Sequence, residues 1–285
     1  MNRLHQAPLL PFFVLLTAGC GAEGVGDEWT EDDEDVTEAG SALCTENGLA
    51  PNGLAPNGLA PNGLAPNGLA PNGLAPNGMA VLQEDSLVGQ MSRDLVRYTV
   101  SCALEPGQSF AFSWTDNLGV VHDEAYPGQL GLAPGWATAP LTNETQQRMV
   151  SACLAARTNW YGVSVVLSLR SKLKPLRTAV PGTELADYSN VEGAFWGNLF
   201  TPTPYLHSCY EAANVDVSRA ANRDCAAGHL DANGQPTECG VIDILGPCSD
   251  WCQDLDNHER WYKSCDDPTL PGTPSTKAVI AVALP

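Results

Sequence analysis

"LTNETQQRMVSACLAARTNWYGVSVVLSLR", residues 141–170, changes its period halfway along. Up to Leu154 the apolar residues keep helical spacing: Met149, Val150, Cys153 and Leu154 form one stripe, with Thr142 or Asn143 placed to cap it. After Gly162 the pattern becomes strict alternation. Val163, Val165, Leu167 and Leu169 fall on one side, and Ser164, Val166, Ser168 and Arg170 on the other. A helix delivering the chain into a strand sets the expected class as α+β.

The same two periods extend outward. Upstream, Leu87, Met91, Leu95, Tyr98 and Cys102 mark one face of a helix within Ser86–Leu104, which Pro106-Gly107 should stop. "SFAFSW" (109–114) alternates, "TDNLG" reads as a turn, and "VVHDEAY" (120–126) completes a hairpin. Downstream, "VEGAFWGNLF" (191–200) and "KAVIAVALP" (277–285) read as strands. Tyr205–Pro274 reads as loop-rich and holds six cysteines. The expectation is a small helix–strand core over residues 81–178 and a disulfide-rich, loop-rich segment over 179–285 packed with it.

Before this core the chain has three unlike parts. Residues 1–20 read as an export signal: Arg3, an apolar run from Leu9 to Leu16, then Thr17-Ala18-Gly19 and Cys20. That run is too short to span a bilayer, which takes about 20 apolar residues. Residues 21–46 form an acidic spacer, with ten Asp or Glu and no Lys or Arg from 23 to 46, expected to be disordered by self-repulsion. Residues 47–80 repeat PNGLA, with Leu giving way to Met79 in the last copy. One Leu in five cannot offset the ordering entropy of its small and polar neighbours, and the length falls short of the roughly three coils a pentapeptide β-helix needs. A turn-rich tether is expected, spanning between about 30 Å as a coil and about 105 Å as polyproline II.

The formal net charge is −19, and residues 81–285 carry 23 acidic against 13 basic groups. That balance repels polyanions, so nucleic acid is not an expected partner.

The end of the signal, Leu16-Thr17-Ala18-Gly19-Cys20, resembles the lipobox of bacterial lipoproteins, which implies acylation at Cys20. "YTVSCALEPGQ", "GQLGLAPGW", "MVSACLAARTNWYGVSVVLSLRS", "VEGAFWGNLF" and the closing cysteines resemble a group of cysteine-rich lipoproteins of myxobacterial type, many of which carry Asn-Gly-Leu or Asn-Gly-Val repeats. The resemblance implies an outer-membrane, lipid-anchored architecture and no particular activity.

In an exported chain cysteines pair. Cys102 and Cys153, the two in the first half of the globular part, are expected to bond. Cys209, Cys225, Cys239, Cys248, Cys252 and Cys265 make three further bridges among 15 connectivities. Cys44 is left over, free or linking two chains as a dimer. No C-x-x-C occurs, and Cys248, Cys252 and His258 lack zinc-ribbon spacing, so no metal is expected. "DANGQPTEC" (Asp231, Asn233, Glu238) and "DLDNHE" (Asp254, Asp256, Glu259) lack the order of a calcium loop and read as turns.

No G-x-S-x-G, H-E-x-x-H, phosphate loop or dinucleotide fingerprint is present, and no cofactor is expected. The one catalytic candidate is His122-Asp123-Glu124. On a strand His122 and Glu124 share a face and Asp123 points away, so a hydrolase would need Ser109, Ser151 or Ser164 brought to His122. His207, His229 and His258 read as surface histidines. Two functions remain open: display of a binding or structural domain for an envelope protein or glycan, or a tethered hydrolase acting near His122.

Overall fold

The computed structural model describes residues 44–47, 78–177, 183–268 and 275–285. The expected export signal with Cys20, most of the acidic spacer and repeat residues 48–77 lie outside them. Strand β1 (Cys44–Asn47) crosses the expected boundary between spacer and repeat, and helix α1 (Gly78–Leu82) takes in the last repeat residues.

The two expected helices form where the stripes place them. Helix α2 (Leu87–Ala103) starts at Ser86, whose side chain accepts from the Gly89 amide. Helix α3 (Glu144–Ala156) starts at Asn143, which caps the Gln146 amide in the same way. Cys102–Cys153 joins them. The stripe on α2 is buried from Leu95 onward, but Leu87, its expected first member, is 71% exposed. Strands β2 (Ser109–Thr115) and β3 (Val121–Pro127) make the hairpin, with Trp114 opposite His122.

The other long strands join one six-stranded sheet in the order β1-β4-β10-β5-β6-β9. They are β4 (Val165–Arg170), β5 (Asn190–Asn198), β6 (Tyr205–Tyr210), β9 (Ile242–Pro247) and β10 (Ile280–Leu284). The short helix α4 (Thr183–Asp187) precedes β5, and the short strands β7 (His229–Leu230) and β8 (Pro236–Thr237) pair with each other outside this sheet. Neighbours run antiparallel except β6 and β9. The C-terminal strand therefore sits inside the sheet, between β4 and β5. Residues 205–274, expected to be loop-rich, supply two of its six strands along with helices α5 (Val215–Ala220) and α6 (Cys248–Trp251).

The sheet is covered on both faces, and β10 shows the division residue by residue. Ile280, Val282 and Leu284 enter the core shared with α2 and α3. Val279, Ala281 and Ala283 enter a second core with Trp196, Trp261, Tyr262, Cys248 and Cys265. Only the part of the cysteine-rich segment from Cys248 to Cys265 covers this second face, where Trp261 and Tyr262 add apolar bulk, whereas Cys225 and Cys239 lie in the first core. Two-sided burial also explains β4: Leu167 through Arg170 are all buried, where alternation from its sequence leads one to expect every second residue exposed. Among the described residues no helix is long and apolar enough to cross a membrane.

Candidate functional site

A groove lies between α2 and the hairpin; of His122, Asp123 and Glu124 only Glu124 lines it, and His122 reaches it through its stack on Trp114. The groove holds about 750 Å³ and is lined by Asp85, Leu87, Arg93, Arg97, Trp114 and Glu124 among others. Arg93 builds its floor. The guanidinium donates to the carbonyls of Leu82 and Glu84 and lies 3.9 Å from the centre of the Trp114 ring. Gln83 Nε2 donates to the Ser113 carbonyl, and the Asn117 amide donates to Asp85 Oδ2, which ties the hairpin to the α1–α2 link.

His122 and Glu124 share the face expected of them, and both are spent on Trp114. The imidazole stacks on the indole at 4.3 Å, and the indole Nε1 donates to Glu124 Oε1 at 3.1 Å. His122 Nε2 meets Asp116 Oδ2 at 3.0 Å. That bond, helped by the Val120 and Leu118 amides, holds Asp116 below the usual carboxylate range. Asp123 points the other way and accepts from Ser113 Oγ. Burial first, then the charge of Glu124, pushes the Tyr126 hydroxyl well up.

The three serines considered as nucleophiles are not gathered at His122. Ser109 begins β2, five positions and about 17 Å along the strand from Trp114. Ser151 is buried in α3, donating to the Gln147 carbonyl and accepting from the Leu199 amide. Ser164 leads into β4 in the other sheet.

The histidines expected at the surface divide three ways. His258 is exposed. His207, on β6, is buried: Nδ1 stands 3.5 Å from Asp243 and Nε2 3.6 Å from Asp267, and neither ring nitrogen has a hydrogen-bond partner. Burial lowers its pKa more than the two carboxylates raise it.

His229, on the short strand β7 (His229–Leu230), forms a dyad that the sequence reading missed. Its Nδ1 meets Asp224 Oδ2 at 2.8 Å, and Tyr161 Oη donates to the same oxygen at 2.9 Å. The ring stacks on Trp160 at 4.4 Å and stays partly exposed, while Asp224 is buried with Oδ1 unpartnered. A buried carboxylate fixing one nitrogen of a stacked imidazole is the arrangement of a general base. No hydroxyl among the described residues bonds that ring. Asp224 and His229 share no periodic pattern, so nothing in the chain order announced the dyad; the adjacent Trp160-Tyr161 at a glycine turn was the available hint.

The two calcium-like stretches behave as turns or ion pairs. Asp231 Oδ1 accepts from the Asn233 and Gln235 amides, and Glu238 accepts from the Ile244 amide. Asp256 accepts from the Arg260 amide and pairs with its guanidinium at 2.6 Å. The second set of cysteines bonds as Cys209–Cys248, Cys225–Cys239 and Cys252–Cys265.

Residues 45–79 match the GLTT repeat family in six copies. No curated protein and no solved structure gives a significant match to the chain.

Proposed function

We propose that the chain is an exported protein, anchored in the bacterial envelope by a lipid on Cys20 and placed in the outer membrane. There it presents its disulfide-stapled domain for binding an envelope protein or glycan. The groove between α2 and the hairpin is the binding surface in this reading. The observation that carries it is apolar exposure on the two elements that form the groove. Leu87, which lines the groove, and Val88 are exposed on α2, Leu118, Val120 and Val121 are exposed at the hairpin tip, and the Asn117 amide of that tip donates to Asp85 just before α2. Apolar exposure beside a polar groove is costly in solution and typical of a recognition site. The candidate bases argue the same way, since neither His122 nor His229 has a positioned hydroxyl nucleophile among the described residues.

The export half of the proposal rests on residues 1–20 and the lipobox resemblance. Intact mass of the membrane fraction tests it. A mature chain beginning at acylated Cys20, and a Cys20→Ser variant lost from that fraction, are the expected results; an unmodified soluble mature chain would remove the anchor.

The Asp224–His229 dyad favours one second reading, a tethered hydrolase with its base at His229 rather than His122. Under it His229→Ala abolishes a hydrolytic activity that His122→Ala leaves intact.

A further inference from the structure

Two of the four disulfides among the described residues touch each other. Cys209 on β6 is bonded to Cys248 at the start of α6, and Cys252 to Cys265. Cys209 Sγ lies 3.6 Å from Cys252 Sγ, across the two bonds. The sulfurs of Cys209, Cys248 and Cys252 all fall within 4.8 Å of one another. The 3.6 Å separation is close to the roughly 3–3.5 Å from which a bond-forming attack begins. With Cys248 also within 4.8 Å, the Cys252 sulfur lies to the side of the Cys209–Cys248 bond, so its side chain must rotate into line, once released from Cys265, before it can attack.

The pair is also reachable. Cys248 and Cys252 line a cleft of about 380 Å³, and Cys252 is the partly exposed member while Cys209, Cys248 and Cys265 are buried. Glu211, Asp254, Asp256 and Glu259 line the same cleft. Arg260 neutralises Asp256, and Tyr262 Oη donates to Glu211, which leaves the cleft walls net negative. Acidic walls concentrate cations and exclude anions.

We propose that this cleft is a thiol–disulfide exchange site that accepts small neutral or cationic thiols and passes the exchange to the second disulfide. A dithiol supplies the two electrons. Its first thiolate attacks Cys252 Sγ, the Cys252–Cys265 bond breaks, and Cys265 leaves as a thiolate and takes up a proton. The second thiol of the reagent then attacks its own sulfur in the mixed disulfide, closing a cyclic disulfide and releasing the Cys252 thiolate. This thiolate attacks Cys209 Sγ. A Cys209–Cys252 bond forms, the Cys209–Cys248 bond breaks, and Cys248 leaves as the thiolate that faces the cleft. The last step moves no net electrons. Its product holds one disulfide, Cys209–Cys252, and two thiols, Cys248 and Cys265.

Brief treatment of the native full chain with one equivalent of dithiothreitol, acid quench, alkylation and peptide mass spectrometry tests the relay. Alkyl groups on Cys248 and Cys265 with a Cys209–Cys252 cross-linked peptide are expected. Cys102–Cys153 and Cys225–Cys239 should stay intact. Alkylation of Cys252 and Cys265 with Cys209–Cys248 retained would overturn the relay, as would first reduction at either of the other two disulfides. The substrate class is read from monothiols: cysteamine should form its mixed disulfide about tenfold faster than glutathione. The difference should shrink in a Glu211→Gln/Asp254→Asn variant that keeps the native circular dichroism. Equal rates for the two thiols in the unmutated chain would remove the cleft as the selecting element.

Discussion

Arg223 Nε donates to Glu192 Oε2 at 2.8 Å with both side chains fully buried. Glu192 sits in β5, and Arg223 follows α5. The same guanidinium donates to the carbonyls of Ala156 and Thr158 at the end of α3, and Ser218 Oγ donates to the other Glu192 oxygen. One ion pair thereby fastens the sheet to the buried carbonyl end of α3, where a cation is favoured. Replacing Arg223 with Ala strands the carboxylate in the core. A loss of about 3–5 kcal/mol is expected from urea unfolding. A Glu192→Gln/Arg223→Met double variant should lose less than the two single changes combined, because neither residue is then left as an unpaired charge.

Gly193 tests the same strand. A β-carbon there would lie 2.1 Å from the Cys209 carbonyl oxygen, which belongs to the neighbouring strand β6 and cannot withdraw. Gly193→Ala should cost at least about 3 kcal/mol and lower the yield of soluble protein. Gly135→Ala is the control, since its β-carbon would meet nothing within 4 Å.

Cys102 and Cys153 are 51 residues apart in sequence. Closing a loop of that size removes about 4 kcal/mol of denatured-chain entropy, so Cys102→Ser/Cys153→Ser should destabilise by about that amount. Because the bond joins α2 to α3, its removal should also loosen the groove floor, seen as faster amide exchange in α2 than in β5.

His207 predicts a dependence on pH. Its folded pKa lies below the unfolded value of about 6.5, chiefly because of burial. Between the two values the unfolded chain holds more protons. Stability is therefore complete above about 6.5 and falls as the pH drops through the folded pKa. The lowered carboxyl of Asp256 acts in a separate, more acidic window, where stability is lost as the pH falls through its folded pKa. His207→Asn should flatten the slope of unfolding free energy near pH 6 and leave the acidic limb unchanged.

Legibility in the sequence followed periodicity. Helices α2 and α3, the hairpin and β4 were readable because each keeps one face apolar. Strand β6, "YLHSCY", was not, because its buried His207 and Ser208 look like surface residues until the opposing layers are in place. Strand β9 is a parallel neighbour formed across a long connection, which leaves no local mark. The faces of His122 and Glu124 were predictable from strand alternation, but the indole that occupies them both was not. The Asp224–His229 dyad and the contact between Cys209 and Cys252 depend on tertiary proximity alone.

In the proposed function an envelope component binds at the α2–hairpin groove and the exposed apolar residues of α2 and the hairpin tip. The direct measurement is equilibrium binding of the purified full-length chain, in detergent micelles, to isolated envelope protein and glycan fractions, repeated with Leu87→Asp/Leu118→Asp. Both positions are exposed, so the variant should keep the parent unfolding free energy within about 0.5 kcal/mol. Saturable binding that weakens at least about tenfold in the variant is the predicted result. Equal binding by parent and variant, or no saturable binding by the parent to any fraction, would rule out the groove as a recognition site.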